Sequence, residues 1–124
     1  MDKLKPIDVV IGGYTDGKEG PGVFYLEANK GDARPVLNEI NPSYVMRLDG
    51  YYYVVAEHKE GLLVVLDSEF KVMSRVKTMG DDPCHISHDN NGKYLVVTNY
   101  SSGSFIICRI ENHLPTVVQS FVTL

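Results

Sequence analysis

Eight consecutive residues, Asp82-Pro83-Cys84-His85-Ile86-Ser87-His88-Asp89, hold one thiol, two imidazoles, a hydroxyl and two carboxylates. Three chemistries are open to such a run. A relay through Ser87, His85 and Asp89 fails on distance: in a strand the three share one face but stand ~6–7 Å apart, beyond direct hydrogen bonding. A zinc site of Cys84, His85 and His88 fails on direction. Alternation puts Cys84 and His88 on one face and His85 on the other, whereas zinc needs ligands converging at about 2.0–2.3 Å. No metal is expected. General acid–base work by His85 survives, because imidazole has a reference pKa of about 6.5 and moves protons near neutrality. The plain alternative is a histidine that only hydrogen-bonds neighbouring backbone.

Further polar groups fall at strand ends. Glu57, followed by His58, suits holding or deprotonating a water. Asn99, followed by Tyr100, suits binding substrate hydroxyls. Both types also satisfy backbone amides beside glycine turns, and for Asn99 that structural role is the stronger reading. Tyr14 follows Gly12 and Gly13, which permit close backbone approach; without a Lys-Ser or Lys-Thr and a helix after them they are not a phosphate loop. Cys84 and Cys108 form neither a disulfide framework nor a C-x-x-C pair, and read as small buried thiols. The Tyr51-Tyr52-Tyr53 run reads as packing, with Tyr51 and Tyr53 on one face.

The elements that must position these groups are strands. Eleven runs rich in β-branched and aromatic residues alternate with turn residues, and no window keeps helical spacing across three turns. The fold class is therefore all-β. Asp49-Gly50, Asn91-Gly92, Gly61 and Gly103 supply the positive φ of tight turns. The chain also repeats. "NPSYVMRLDGYYYVVAEHKEGLLVVLD" from Asn41 is echoed by "DPCHISHDNNGKYLVVTNYSSGSFIICRI" from Asp82. Pro42 matches Pro83, Gly50 matches Gly92, Val54-Val55 matches Val96-Val97, and Ser43-Tyr44 stands where the second copy has Cys84-His85. One extra residue in the second copy is assigned to its turn. Arg47 and His88 then fall at matching positions on adjacent inner strands, close to one another. A four-stranded unit at this period is a propeller blade, and blades stack because one twisted sheet cannot bury both its faces. The expected β-propeller organisation is a three-stranded partial blade over 1–40, lacking its innermost strand, and complete four-stranded blades over 41–81 and 82–124. Innermost strands begin at Pro42 and Pro83.

A net charge of −4 without a basic stripe argues against nucleic acid as a partner. The apolar run near Met1 is too short for a signal core or a membrane span. A cytoplasmic location is the expectation.

The segments "VIGGYT", "GPGVFYLE", "NPSYV", "VVAEHKEG", "DPCHIS" and "DNNGKYLVVTNYSSGS" together resemble the lactonase family of seven-bladed propellers, which includes 6-phosphogluconolactonases and carboxymuconate-lactonising enzymes. The resemblance covers the whole chain, and at 124 residues it implies an N-terminal portion, about a third of the ring. It implies a lactone hydrolase acting on a sugar lactone such as 6-phosphogluconolactone, without a cofactor. The isolated chain is expected to be inactive, with arginines and further acids coming from later blades. His85 is implied as the histidine beside the central cleft, with Glu57 as the other catalytic group. Tyr14, Ser43, Asn99 and Tyr100 are implied as substrate-binding. The chain departs from the family at Ala56, where asparagine is usual, and at Arg47 and His88, where a small apolar residue is usual. A non-catalytic binding or assembly segment and a muconate-type cycloisomerase stay open as alternatives. Partners would be the remaining blades, or copies of the chain meeting through exposed blade faces.

Overall fold

The computed structural model describes residues 6–28 and 30–122. It holds eleven strands: β1 Val9–Gly12, β2 Glu19–Leu26, β3 Arg34–Ile40, β4 Tyr44–Leu48, β5 Tyr51–Ala56, β6 Leu62–Leu66, β7 Val72–Lys77, β8 Pro83–His88, β9 Tyr94–Asn99, β10 Ser104–Glu111 and β11 Leu114–Val122. They form three antiparallel sheets ordered β1-β2-β3, β4-β5-β6-β7 and β8-β9-β10-β11. The expected all-β propeller organisation is what the chain adopts, and the last expected strand run ends in Thr123 and Leu124, outside the described residues.

The sheets stack face to face with inner strands meeting inner and outer meeting outer: β4 lies on β8, and β7 on β11. β1 touches β4 as β5 touches β8, so β1 fills a second position and, among the described residues, nothing lies inside it. The middle sheet is covered on both faces, which is why "YYYVVA" and "LLVVL" read as continuous apolar runs. Alternation sorts their side chains between two cores. Tyr53, Val55, Leu63 and Val65 meet Ile86, Leu95, Val97, Ile106 and Cys108 of the third sheet. Val54, Val64 and Leu66 meet Val23 and Leu37 of the first. Tyr51 joins Tyr53's face and Tyr52 the opposite one, as expected of that run.

The turn chemistry is partly other than expected. Gly50, Gly92 and Gly103 have positive φ, but Gly61 does not, and Glu60 before it turns left-handed at φ 55°. Gly61 is needed for space instead: a Cβ there would stand 2.1 Å from Pro83 Cδ. Asn41 and Asp82, each before the proline that opens an inner strand, are left-handed at φ 45° and 57°. Asparagine and aspartate bear this conformation best among residues with a side chain.

The β10–β11 hairpin tip clamps the second and third sheets. Asn112 and His113 make the left-handed turn, the His113 ring stacks on Tyr51 at 3.9 Å, and the Tyr53 hydroxyl donates to His113 O at 2.6 Å. Burial first, then the charges of Asp49 and Tyr51, pushes the Tyr53 phenol up to about 12. The fold thus holds the phenolic proton more tightly than the unfolded chain, whose tyrosines titrate at about 10. This contribution is full below pH ~10 and fades as pH rises toward 12. Tyr53→Phe is expected to cost about 1 kcal/mol at pH 8 through the lost hydrogen bond. It should also flatten part of the alkaline loss of stability, read as urea midpoints at pH 8 and pH 11.

Candidate functional site

Strand polarity brings the candidate residues to one end of the stack. Tyr14 follows β1, Ser43 precedes β4, Glu57 follows β5, Cys84 and His85 open β8, and Asn99-Tyr100 close β9. Gly13, Glu57 and Asn99 therefore occupy corresponding places just inside the rim of three neighbouring sheets.

The register of β8 revises the repeat. Pro83 pairs with Asn99 and His85 with Thr98, leaving Cys84 as the extra residue of a β-bulge. Tyr44 pairs with Val55 and Ile86 with Val97, so the repeat spacing is already 42 residues here. The inserted residue thus lies in this bulge and not in the hairpin turn. Ile86 takes the place of Tyr44, both in the same core, and His85 takes that of Ser43. A bulge re-aims the side chain beside it. His85 is left exposed, its ring 4.9 Å from that of Tyr44 across the neighbouring inner strand.

The same register corrects the pairing of Arg47 with His88. His88 corresponds to Met46 and shares the face of Ile86, toward the second sheet. Arg47 shares the face of Val45, toward the first sheet, where it borders a cavity with Asp8, Val10 and Tyr52. His88 Nδ1 contacts Asp89 O at 2.6 Å.

Tyr14, Ser43, Glu57 and Cys84 come together. The Tyr14 hydroxyl turns to the Glu57 carboxylate although its residue is 72% exposed, so the phenol bridges solvent and site. Hydrogen bonding to Glu57, then that group's charge, then burial raises the Tyr14 pKa; Ser43 works weakly against them. Ser43 Oγ is near enough for that effect but outside hydrogen-bonding geometry. Four side-chain atoms are buried without a hydrogen-bond partner among the described residues: Ser43 Oγ, Glu57 Oε2, His58 Nε2 and Asn99 Oδ1. All four lie at this end. Buried polar groups are rarely left unpaired, and each such atom marks a place where a water, ion or ligand group fits.

Asn99 and Tyr100 sit differently. Asn99 is buried, and its Nδ2 donates to Thr78 O at 2.8 Å and Ser104 Oγ at 3.1 Å, a latch between the second and third sheets. The expected structural use was acceptance from backbone amides; here the amide nitrogen donates instead, and Oδ1 has no partner among the described residues. Tyr100 is exposed on the rim, its backbone N donating to Asp82 O at 2.9 Å.

Cys84 differs from the buried thiol expected of it. It is half-buried, and burial first, then the charges of Glu57 and Asp82, raises its pKa. Cys108 is fully buried, and burial alone pushes it up to about 11. The thiolate is the nucleophile, so both react slowly. Glu57→Gln removes the negative charge beside Cys84 and is expected to speed its alkylation several-fold at pH 8. Cys108 should react only on unfolding. Mass spectrometry of timed iodoacetamide labelling reads both.

Residue types alone gave no reason to single out Asn41. Its side chain joins three backbone groups, and the signal in the sequence was its repeat as Asp82, each before a proline.

Radially stacked antiparallel sheets whose polar groups gather at one channel end define this chain as part of a β-propeller. Residues 8–123 match the profile described as "Lactonase, 7-bladed beta-propeller". A 6-phosphogluconolactonase of Formosa agariphila is 29% identical over 82% of this chain and 33% of its own length. The structure of the Pseudomonas aeruginosa periplasmic gluconolactonase superposes with a TM-score of 0.74 at 25% identity, covering 92% of this chain and 38% of that one. A candidate 6-phosphogluconolactonase of Bacteroides fragilis superposes with a TM-score of 0.72 at 26% identity, covering 95% and 36%. The chain belongs to the lactonase family of seven-bladed β-propellers. It spans about a third of the length of these relatives.

Proposed function

We propose that these blades carry the acid–base part of a lactone hydrolase that opens a sugar lactone, with 6-phosphogluconolactone as the substrate type. The observation that carries the reading is the meeting of Tyr14, Ser43, Glu57 and the Cys84-His85 bulge at one channel end, around a buried carboxylate oxygen that has no partner among the described residues. The names of the similar proteins point the same way.

Hydrolysis needs two proton movements. Water must lose a proton as its oxygen bonds the lactone carbonyl carbon, and the ring oxygen must gain one as its bond to that carbon breaks. Glu57 takes the first proton and His85 delivers the second. Water and lactone give one hydroxy acid, with no redox change. Ser43 and Tyr14 flank the carboxylate, and Tyr100 borders the rim where sugar hydroxyls enter. Asn99 supports the site from behind.

The open face of the third sheet, where Phe105 and Phe121 stack at 4.7 Å, is where further blades of the ring belong. They would bring the cations that hold a phosphate and the developing oxyanion. Among the described residues no helix is long and apolar enough to cross a membrane. A cytoplasmic site of action fits the substrate type, while the Pseudomonas relative is periplasmic.

The test is ring opening followed as proton release by the protein holding the complete ring. Turnover of the phosphorylated sugar lactone is expected. Turnover of a muconate-type diene diacid instead would replace hydrolysis by cycloisomerisation. Binding of the lactone without opening would make the blades a recognition segment.

A further inference from the structure

The Tyr14–Glu57 meeting joins two sheets and two loops, so something must hold those loops in register. Asn41 stands between them. Its Oδ1 accepts from Thr15 N at 2.8 Å and Gly17 N at 3.2 Å, both in the loop that carries Tyr14. Its backbone N donates to Thr15 Oγ1 at 2.9 Å. On the other side its Nδ2 donates to Glu57 O at 3.1 Å, and its backbone O accepts from Glu57 N at 2.9 Å. With Thr15 Oγ1 also donating to Oδ1 at 3.3 Å, six hydrogen bonds run from one residue to the two segments bearing the phenol and the carboxylate.

The next blade shows which part is general. Asp82, also left-handed and also before a proline, uses the same two backbone groups: its N donates to His58 O at 3.0 Å, where Asn41 N meets a hydroxyl, and its O accepts from Tyr100 N at 2.9 Å. Its side chain, however, accepts from Ser101 Oγ of its own sheet. The backbone frame is a repeat feature. There the preceding loop is held by Asp81, whose Oδ1 accepts from Glu60 N at 2.8 Å. Among the described residues, one side chain joining such a loop to a strand end is particular to Asn41, and it needs an amide, which accepts on one atom and donates on the other.

We propose that Asn41 is a positioning residue of the site: its amide locks the Tyr14 loop of the first sheet to the Glu57 strand end of the second. This rests on the reading of Glu57 as a reacting group, but its test does not need turnover. The chain labelled with 13Cζ-tyrosine is titrated by NMR, the Tyr14 resonance being assigned with Tyr14→Phe. In the wild type Tyr14 should titrate above the ordinary tyrosine value. In Asn41→Ala its titration should move down toward that value, while Tyr53 keeps its titration near 12 as the sign of an intact fold. Thr15→Val, which deletes one hydroxyl from the network, should move Tyr14 the same way by less, and serves if Asn41→Ala does not fold. Asn38→Ala, an exposed asparagine on β3 outside the network, should leave Tyr14 unmoved. Unchanged Tyr14 titration in folded Asn41→Ala or Thr15→Val, or an ordinary value already in the wild type, overturns the proposal. Loss of the lactone reading would show separately, as absent turnover with the Tyr14 shift intact.

Discussion

His85→Ala in the complete ring is expected to lower kcat for lactone opening by ~10²–10⁴, the usual worth of a positioned general acid or base. The argument is geometric. The bulge at Cys84 makes His85 exposed at the channel end, beside Tyr44 and one residue from a thiol that feels the charge of Glu57. A histidine retained only for backbone hydrogen bonding would be buried and paired; His85 is exposed, and its ring has no hydrogen bond among the described residues. Glu57→Gln should fall into the same range, since glutamine keeps the shape and loses the proton acceptor. The two effects will not add, because residues acting on one transition state lose most of their joint contribution with the first deletion. Single-turnover rates across pH separate the roles: removing the acid and removing the base take away opposite limbs of a bell-shaped profile. Wild-type rates in both variants would leave the polar cluster a binding feature.

How legible this was depended on where the information lies. Alternation and turn residues are local, so the runs around Val54 and Val64 gave their strands, and the echo of Pro42 in Pro83 gave the blades. What failed was register. A one-residue insertion looks the same in a turn or in a bulge when only letters are compared, yet the bulge exchanges Tyr44's counterpart from His85 to Ile86. The error carried into the pairing of Arg47 with His88, which alternation then sent to opposite faces. Glu57, Tyr14 and Ser43 were found through the family pattern, but their convergence crosses from one sheet to another, and no spacing along the chain encodes that. Asn41 shows in the letters only as the residue before a repeated proline; its bonds to distant backbone do not show at all.

Gly61→Ala is expected to destabilise the chain by about 1–3 kcal/mol, the range for forcing extra carbon into a well-packed place. Its φ is not left-handed, so backbone strain is no part of the cost. The cost is contact: the added Cβ would stand 2.1 Å from Cδ and 2.4 Å from Cγ of Pro83, and 3.0 Å from Ala56 O. None of these can swing away, since one belongs to the backbone and the others to a closed ring. Gly22 meets Pro42 in the same way, at 2.4 Å, so the glycine-to-proline contact is a joint repeated between successive blades. On the proposed mechanism the joint at Gly61 bears on the site as well as on stability, because the displaced residue is the one that begins the Cys84 bulge. Gly20→Ala is the control: among the described residues no atom outside its neighbours lies within 4 Å of its Cβ position, and it should change the urea midpoint little. Gly61→Ala should lower that midpoint and, in the complete ring, reduce turnover even at temperatures where the protein remains folded. Restoring the space with Pro83→Ala in the Gly61→Ala background should recover part of the stability, because the two sites touch and their effects are coupled. It should recover less of the activity, since the proline also fixes the entry angle of β8. A double variant no more stable than Gly61→Ala alone would show that the contact with Ala56 O, and not the proline, sets the cost.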